Sequence, residues 1–257
     1  MEKGKKKTPL NWIINILIFV CLAGVVFYSY KLITWKIHVI RNDELQKKTG
    51  YAVTVVETEQ GEGKETESEY RVDFDSLKAI NEDVVAYVKV NNTNIDYVVV
   101  RGSNNDYYLR HNLEKQWNVG GWVFGDYRNK FDGTDKNIIL YGHNMTDGSM
   151  FGTLNKTLSE EWYSNEENHE IVLVTERGTS FYQVFSTYTV EPEEYYITVD
   201  FDNMFDFQEF GKTLKDRSVH DFGVQIYGNE KILTLSSCVG NGEKRVVLHA
   251  KLTRMVE

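Results

Sequence analysis

One cysteine, an arginine seven positions after it and a histidine behind a glycine are the residues of this chain best placed to do chemistry. Cys238 stands at the tip of a β-rich run in KILTLSSCVGNGEKRVVLHAKL, and Arg245 opens the next run. A thiolate, not a thiol, is the nucleophile, and a nearby cation or base helps to form it. Strand alternation puts Ile232, Thr234, Ser236 and Cys238 on one face and Leu233, Leu235 and Ser237 on the other. In the following run Val246, Leu248, Ala250 and Leu252 form an apolar set, opposite Arg245, Val247, His249 and Lys251. If the apolar sets face the core, Cys238 and Arg245 share the outer face of two antiparallel neighbours joined by a short turn. Lys244 should then point to the core side, and Arg254 lies too far along the strand. A surface arginine on an edge strand and a buried, inert cysteine are the plainer readings of the same spacing.

A cysteine enzyme also needs a proton carrier. Of the six histidines, His143 in NIILYGHNMTDGSMFGTL follows a buried-looking strand at the mouth of a loop, where catalytic groups often sit. His111 ranks second. His38, His169 and His220 have polar or membrane-proximal surroundings, and His249 lies inside a strand. No cluster has metal-ligand spacing, so neither a metal nor another cofactor is expected.

The elements that must hold these groups are mostly short strands. VVAYVKV and IDYVVV flank an Asn-rich turn at 91–94, a hairpin signal. KNIILYG, EIVLVTE, TSFYQVFSTYTV, KILTLSSC and RVVLHAKL add further strands rich in β-branched and aromatic residues. Many short strands and few long helical patterns predict a β-barrel or sandwich. Two helices are expected to interrupt them, DYYLRHNLEKQ and a stretch near 204–219 with Phe207, Phe210 and Leu214 at helical spacing. The second lies in the long connection that precedes Cys238.

The beginning of the chain reads differently. MEKGKKK is a basic head, and the run from Trp12 to Tyr30 carries no charge. About 20 apolar residues at ~1.5 Å each span a hydrocarbon core of ~30 Å. Trp12, Tyr28, Tyr30 and Trp35 mark the ends, where amphipathic rings favour the interface. Neither a cleavage site nor a lipoprotein signal fits, so an uncleaved anchor is expected, with the lysines in the cytoplasm and everything after residue 35 outside. Cys21 is then a small apolar residue within the span, and Cys238 has no cysteine to pair with outside. Residues 57–69, ETEQGEGKETESE, should be a solvated stalk. The expected organisation is a head at 1–10, an anchor at 11–35, a helix and stalk at 36–70 and a catalytic domain at 71–257. The net charge of −9 and the lack of a Lys/Arg stripe after the head argue against nucleic acid as a partner.

TLSSC before a strand opening with arginine, together with YGHN, resembles the sortases, membrane-anchored cysteine transpeptidases of Gram-positive bacteria. IILYGHNMTDGSMFGTL, NNTNIDYVVVRGSNNDYYLRHNL and GWVFGDYRN resemble class B members in particular. The resemblance implies a mainly β fold, an eight-stranded barrel with N-terminal helices and a helix in the connection before the cysteine strand. It implies Cys238 as nucleophile, His143 as acid and base, and Arg245 as the arginine. Ser236, Ser237, Asn144, Tyr196 and Ile197 become candidate substrate contacts. The reaction implied is cleavage of a C-terminal sorting motif after Thr, through a thioacyl enzyme, and transfer to an amine of a cell-wall precursor or a pilin lysine. Its partners would be surface proteins or pilins bearing that motif. From the residues alone, a cell-surface cysteine hydrolase and a non-catalytic membrane-tethered β-domain stay open beside it.

Overall fold

Alternating apolar residues give each β-rich run one face to bury, and closing the sheet on itself buries all of those faces together. In the computed structural model, which describes residues 9–58, 67–239 and 244–256 and the side chains of 12–56, 70–237 and 244–256, that closure occurs. A long helix α1 (Pro9–Gly50) leads to a two-stranded ribbon of β1 (Val53–Thr58) and β2 (Glu67–Val72) and a short helix α2 (Phe74–Ile80). The barrel is built from β3 (Val84–Val90), β4 (Asp96–Val100), β5 (Phe124–Gly125), β6 (Asn137–Gly142), β7 (Glu170–Thr175), β8 (Gly178–Val190), β9 (Ile232–Val239) and β10 (Lys244–Val256). A short helix α3 (Glu160–Tyr163) precedes β7, and α4 (Met204–Asp216) lies between β8 and β9. Around the barrel the order is β10-β8-β7-β3-β4-β5-β6-β9. Most neighbours are antiparallel, but β6 runs parallel to β9 and β4 parallel to β5.

The chain divides into two compact units between Arg41 and Asn42. In the first, α1 is long and apolar enough to cross a membrane, and the side chains from Trp12 to Leu32 that are large and apolar are exposed. The second unit begins within the last turns of α1, where Leu45 is buried and Asn42 donates to the Gly121 carbonyl at 3.1 Å. The ribbon belongs to it as well, because Thr179 donates to the Tyr70 carbonyl at 3.0 Å and the Tyr70 ring packs on Tyr87 and Phe181. Thr58 and Glu67 thus pair within a ribbon rather than form a stalk, and 59–66 lie outside the described residues.

Two apolar clusters fill the second unit. Leu233, Leu235, Val246, Leu248 and Ala250 join the main core, as their alternation predicts. The opposite face of β9 and β10 is covered too. Ile232 and Val247 pack with Phe185, Tyr188, Tyr196, Phe207, Leu214 and Ile226 in a second core beneath α4. Asn203 caps α4 by accepting from the backbone N–H groups of Phe205 and Asp206 at 2.9 and 3.0 Å. Gly211 faces Ile226, where a Cβ would lie 2.5 Å from its side chain, so the helix approaches more closely than alanine would permit. His249 is fully buried there, and Lys244 is exposed near Glu191 (3.7 Å) instead of facing the core. Lys244 is the first residue of β10, at the tip of the strand and not in its body.

The helix expected over DYYLRHNLEKQ is reduced to a single 3-10 turn at Tyr107–Leu109. Asparagine side chains divert the backbone. Asn104 Oδ1 accepts from the N–H groups of Asp106 and Tyr107, and Asn112 Oδ1 from those of Glu114 and Gln116. Such local bonds compete directly with the helical ladder.

Candidate active site

Three neighbouring strands bring the chemical residues to one end of the barrel. β9 lies between β6 and β10. Cys238 is paired in register with Arg245 across the antiparallel β9–β10 ladder. On the other side, Ser237 is aligned with Gly142, the last residue of β6, and His143 is next. Backbones in neighbouring strands lie ~4.8 Å apart, so positions 143, 238 and 245 are adjacent. The turn expected between Cys238 and Arg245 lies, at 240–243, outside the described residues.

His143 leaves the strand because Gly142 lets the chain pass tightly. A Cβ on Gly142 would lie 2.6 Å from the ring of Phe151, which is fully buried. The His143 carbonyl then accepts from the N–H groups of Met145 (3.1 Å) and Phe151 (3.0 Å), closing the loop on itself. The imidazole Nε2 is 2.9 Å from the Leu109 carbonyl. A carbonyl only accepts, so Nε2 carries the proton and Nδ1 is the basic nitrogen of the neutral ring. Burial holds the His143 pKa below that of an ordinary histidine; the Leu109 carbonyl opposes this and the Arg110 charge adds to it.

Arg245 and His143 line one cleft of about 240 Å³, together with Asn105, Asp106, Leu109, Phe124, Tyr141, Gly142, Ile197 and Ser236. The Arg245 Nη1 donates to the hydroxyl oxygen of Tyr196 at 3.1 Å. That hydroxyl is also 3.2 Å from Ser236 Oγ. Tyr196 is itself fully buried, so it supports the arginine from beneath instead of lining the cleft. Ser237 is buried and donates to the Phe151 carbonyl at 3.4 Å. Asn144 pairs with Met150 across a β-bridge. Neither is among the residues lining the cleft. His111 stacks on Tyr107 with ring centroids 4.0 Å apart and is also absent from the cleft.

Behind Tyr196 runs a buried polar chain whose proton order follows from its ends. Asn137 Nδ2 donates to the Thr198 carbonyl (2.9 Å), so its Oδ1 accepts from Thr234 Oγ1 (2.8 Å). Thr234 has spent its proton and accepts from His249 Nδ1 at 2.9 Å. His249 Nε2 is therefore left to accept from the Tyr188 hydroxyl at 3.1 Å. Complete burial pushes the His249 pKa down to about 3, in keeping with a neutral ring. This chain fastens the Tyr195–Thr198 segment, which carries Tyr196 and Ile197, to the barrel.

Sequence reasoning placed Ser236, Ile197, His143 and Arg245 together. It did not single out Asn105, Asp106, Leu109, Phe124 or Tyr141 as cleft residues. They lie within motifs whose resemblance to class B sortases was visible, and that was the available signal.

A closed eight-stranded barrel with this cleft at the end of β6, β9 and β10 is a sortase arrangement, and the sortase-domain family pattern matches residues 88–253. The chain is 34% identical over 191 residues to Sortase B of Listeria monocytogenes, covering 72% of this chain and 75% of the relative. It is 32% identical over 189 residues to Sortase B of Staphylococcus aureus, covering 72% and 76% respectively. Among solved structures, sortase B from Bacillus anthracis in complex with AAEK1 superposes with a TM-score of 0.73 at 30% identity, over 85% of this chain and 99% of that one. The Staphylococcus aureus sortase B–substrate complex superposes with a TM-score of 0.67 at 33% identity, over 71% and 85%. The chain belongs to the class B sortases, a family of cysteine transpeptidases.

Proposed function

We propose that this enzyme cleaves a C-terminal sorting motif of surface proteins after Thr and transfers the acyl group to an amine, with Cys238, His143 and Arg245 as its catalytic residues. The observation that carries this reading is the shared register of β6, β9 and β10, which makes positions 143, 238 and 245 neighbours. Strand alternation has a period of two, and Cys238 stands two positions beyond Ser236, a cleft-lining residue of the same strand. Its thiolate attacks the Thr carbonyl, and the C–N bond breaks as the thioester forms. His143 Nδ1, available because Nε2 is held by Leu109, takes the Cys238 thiol proton as the thiolate forms, gives it to the departing amine and later takes one from the incoming amine, returning it to the thiolate that leaves. Arg245, oriented by Tyr196, donates to the developing oxyanion or to the substrate backbone. Ser236 and Ile197 line the groove. Tyr196 serves through Arg245.

The remaining parts of the reading concern place. Residues 11–35 of α1 act as the membrane anchor, the basic head stays in the cytoplasm, and the catalytic domain, 71–257 with the ribbon and helix end before it, stands outside. Confinement at the membrane raises the effective concentration of enzyme and membrane-held substrate for each other. The acceptor is the amine of a wall precursor or a pilin lysine. The test is product analysis with the full-length chain in detergent and a set of Asn-Pro-X-Thr peptides, with and without an added amine. Transfer product that depends on Cys238 supports the reading. Hydrolysis alone, unchanged by the amine, replaces it with a cysteine hydrolase.

A further inference from the structure

Three of the cleft-lining residues come from three separate stretches of chain: Asn105 from the loop after β4, Tyr141 from β6 and Ile197 from the connection after β8. All three are bonded to one ion pair, whose carboxylate is buried and whose guanidinium reaches the surface. Asp126, in the loop after β5, has a side chain with no exposed surface. Its carboxylate accepts from Arg128 Nε and Nη2, both at 2.8 Å, and from the Arg128 backbone N–H at 3.0 Å. It also accepts from the Tyr141 hydroxyl at 2.9 Å and from Asn105 Nδ2 at 3.0 Å. Arg128 Nη2 in turn donates to the Ile197 carbonyl at 2.9 Å. Five donors saturate the roughly four lone-pair sites of a carboxylate.

Such a pair is a costly way to gain stability. Taking the Asp126 carboxylate out of water offsets much of its attraction to the partly exposed Arg128 guanidinium, and an apolar side chain in its place is often as stable. What an apolar replacement lacks is direction. A planar fork on a fixed carboxylate fixes the direction in which its partners lie, and Ile197 has no other bond to the barrel through its carbonyl among the described residues. Burial by itself would raise the Asp126 pKa, but the Arg128 side chain, its N–H, Tyr141 and Asn105 together outweigh burial and hold it below that of an ordinary aspartate. The carboxylate therefore stays ionised as an acceptor at neutral pH.

We propose that the Asp126–Arg128 pair is the positioning device of the substrate cleft, with Arg128 the positioning residue that sets Ile197 against Asn105 and Tyr141 for peptide binding. The proposal rests on the reading of this cleft as the sorting-motif site. Neither residue of the pair lines the cleft, so both act through the three that do. An ammonium cannot hold two carboxylate oxygens and a carbonyl in one plane, so Arg128→Lys keeps the charge and loses the geometry.

The experiment uses the full-length chain in detergent, in a Cys238→Ala background, titrated with a fluorescent Asn-Pro-X-Thr peptide chosen as the best cleaved by the parent enzyme. Arg128→Lys should raise Kd about tenfold, the loss of one charge-assisted hydrogen bond's worth of order. Tyr141→Phe, which removes one of the five donors and keeps its ring, should raise Kd about threefold. With Cys238 present, labelling by a small methanethiosulfonate reagent should stay within about twofold in both variants, because so small a reagent makes no use of the cleft wall. Parent-like Kd in a folded Arg128→Lys chain overturns the inference, as does an equal fall in thiol labelling. If Arg128→Lys does not fold, Tyr141→Phe decides, and parent-like binding there overturns it. A parent chain that binds and cleaves no peptide of the set refutes the functional reading instead.

Discussion

Removing one oxygen, in Tyr196→Phe, tests whether Arg245 works in the reaction from a position fixed beneath it. The ring stays and its packing in the second core is kept. What is lost is the acceptor for Arg245 Nη1 at 3.1 Å and the contact with Ser236 Oγ at 3.2 Å. A hydrogen bond to a charged group is worth about 1.5–3 kcal/mol, and a neutral one about 1 kcal/mol. Water entering the cleft can replace part of the first, so the lower end applies, about 1.5 kcal/mol, or roughly tenfold in rate. If Arg245 stabilises charge that appears only in the transition state, this loss falls on kcat and leaves KM nearly unchanged. Ser236→Ala removes the neutral bond alone and should change kcat by no more than about fivefold. The assay is steady-state cleavage of a quenched fluorescent sorting-motif peptide, with a thermal melt to establish that both variants are folded. A folded Tyr196→Phe enzyme with kcat within about twofold of the parent would refute the reasoning, and so would a Ser236→Ala enzyme equally impaired.

Cys238→Ala should abolish turnover in a chain that still melts cooperatively, and parent-like activity there would end the covalent mechanism. His143→Ala should lose on the order of 10²-fold or more through lost proton transfer; an active His143→Ala beside a dead His111→Ala would reverse the histidine assignment. Arg245→Lys should be severely impaired in peptide cleavage, because an ammonium does not reproduce the fork of donors, and near-parent kcat in that variant would remove Arg245 from the mechanism. Stability should fall as pH falls below ~6.5: His249 is neutral in the fold down to about 3, whereas the unfolded chain takes up that proton near 6.5. The unfolded state then binds more protons, so the loss is about 1.4 kcal/mol per pH unit from this residue, and denaturant titrations between pH 6 and 4 should show His249→Gln with a slope shallower by about one proton.

The barrel was legible in the sequence because strand alternation leaves a strong mark. Leu233, Leu235, Val246, Leu248 and Ala250 fall in the main core as their spacing requires, and the Asn-rich turn joins β3 to β4. Phe207 and Leu214 likewise announce α4 and are buried. Two kinds of feature escaped. Residues 106–116 have helical-looking composition, but Asn104 and Asn112 capture backbone N–H groups, and no periodicity records that competition. The two-residue strand β5 pairs with β4 at Val100 and with β6 at Tyr141 and Leu140, which no local pattern encodes. The site divides in the same way. Cysteine, histidine and arginine have chemistry that draws notice wherever they stand. Asp126 and Arg128 two positions apart look like any solvated pair; only long-range contacts to Tyr141, Asn105 and Ile197 distinguish them.

That division has a physical consequence for how such an enzyme can change. Positions 143, 238 and 245 are set by the registers of adjacent barrel strands, and a slip of one residue would turn every core side chain of that strand outward. Their geometry is therefore protected by the whole main core. Ile197 stands in the connection between β8 and α4 and is held to the barrel side of the cleft through Arg128, while its neighbours Tyr196 and Thr198 are held by Asn137. Altering those few bonds moves a cleft wall without touching a barrel register. Exchanging residues 195–219 for the same segment of another class B sortase should accordingly shift motif preference while Cys238 stays reactive to small thiol reagents. Cleavage of a peptide panel by the folded chimera is the measurement. An unchanged preference would place recognition elsewhere, and the loop 144–152, which follows His143, would be the next segment to exchange.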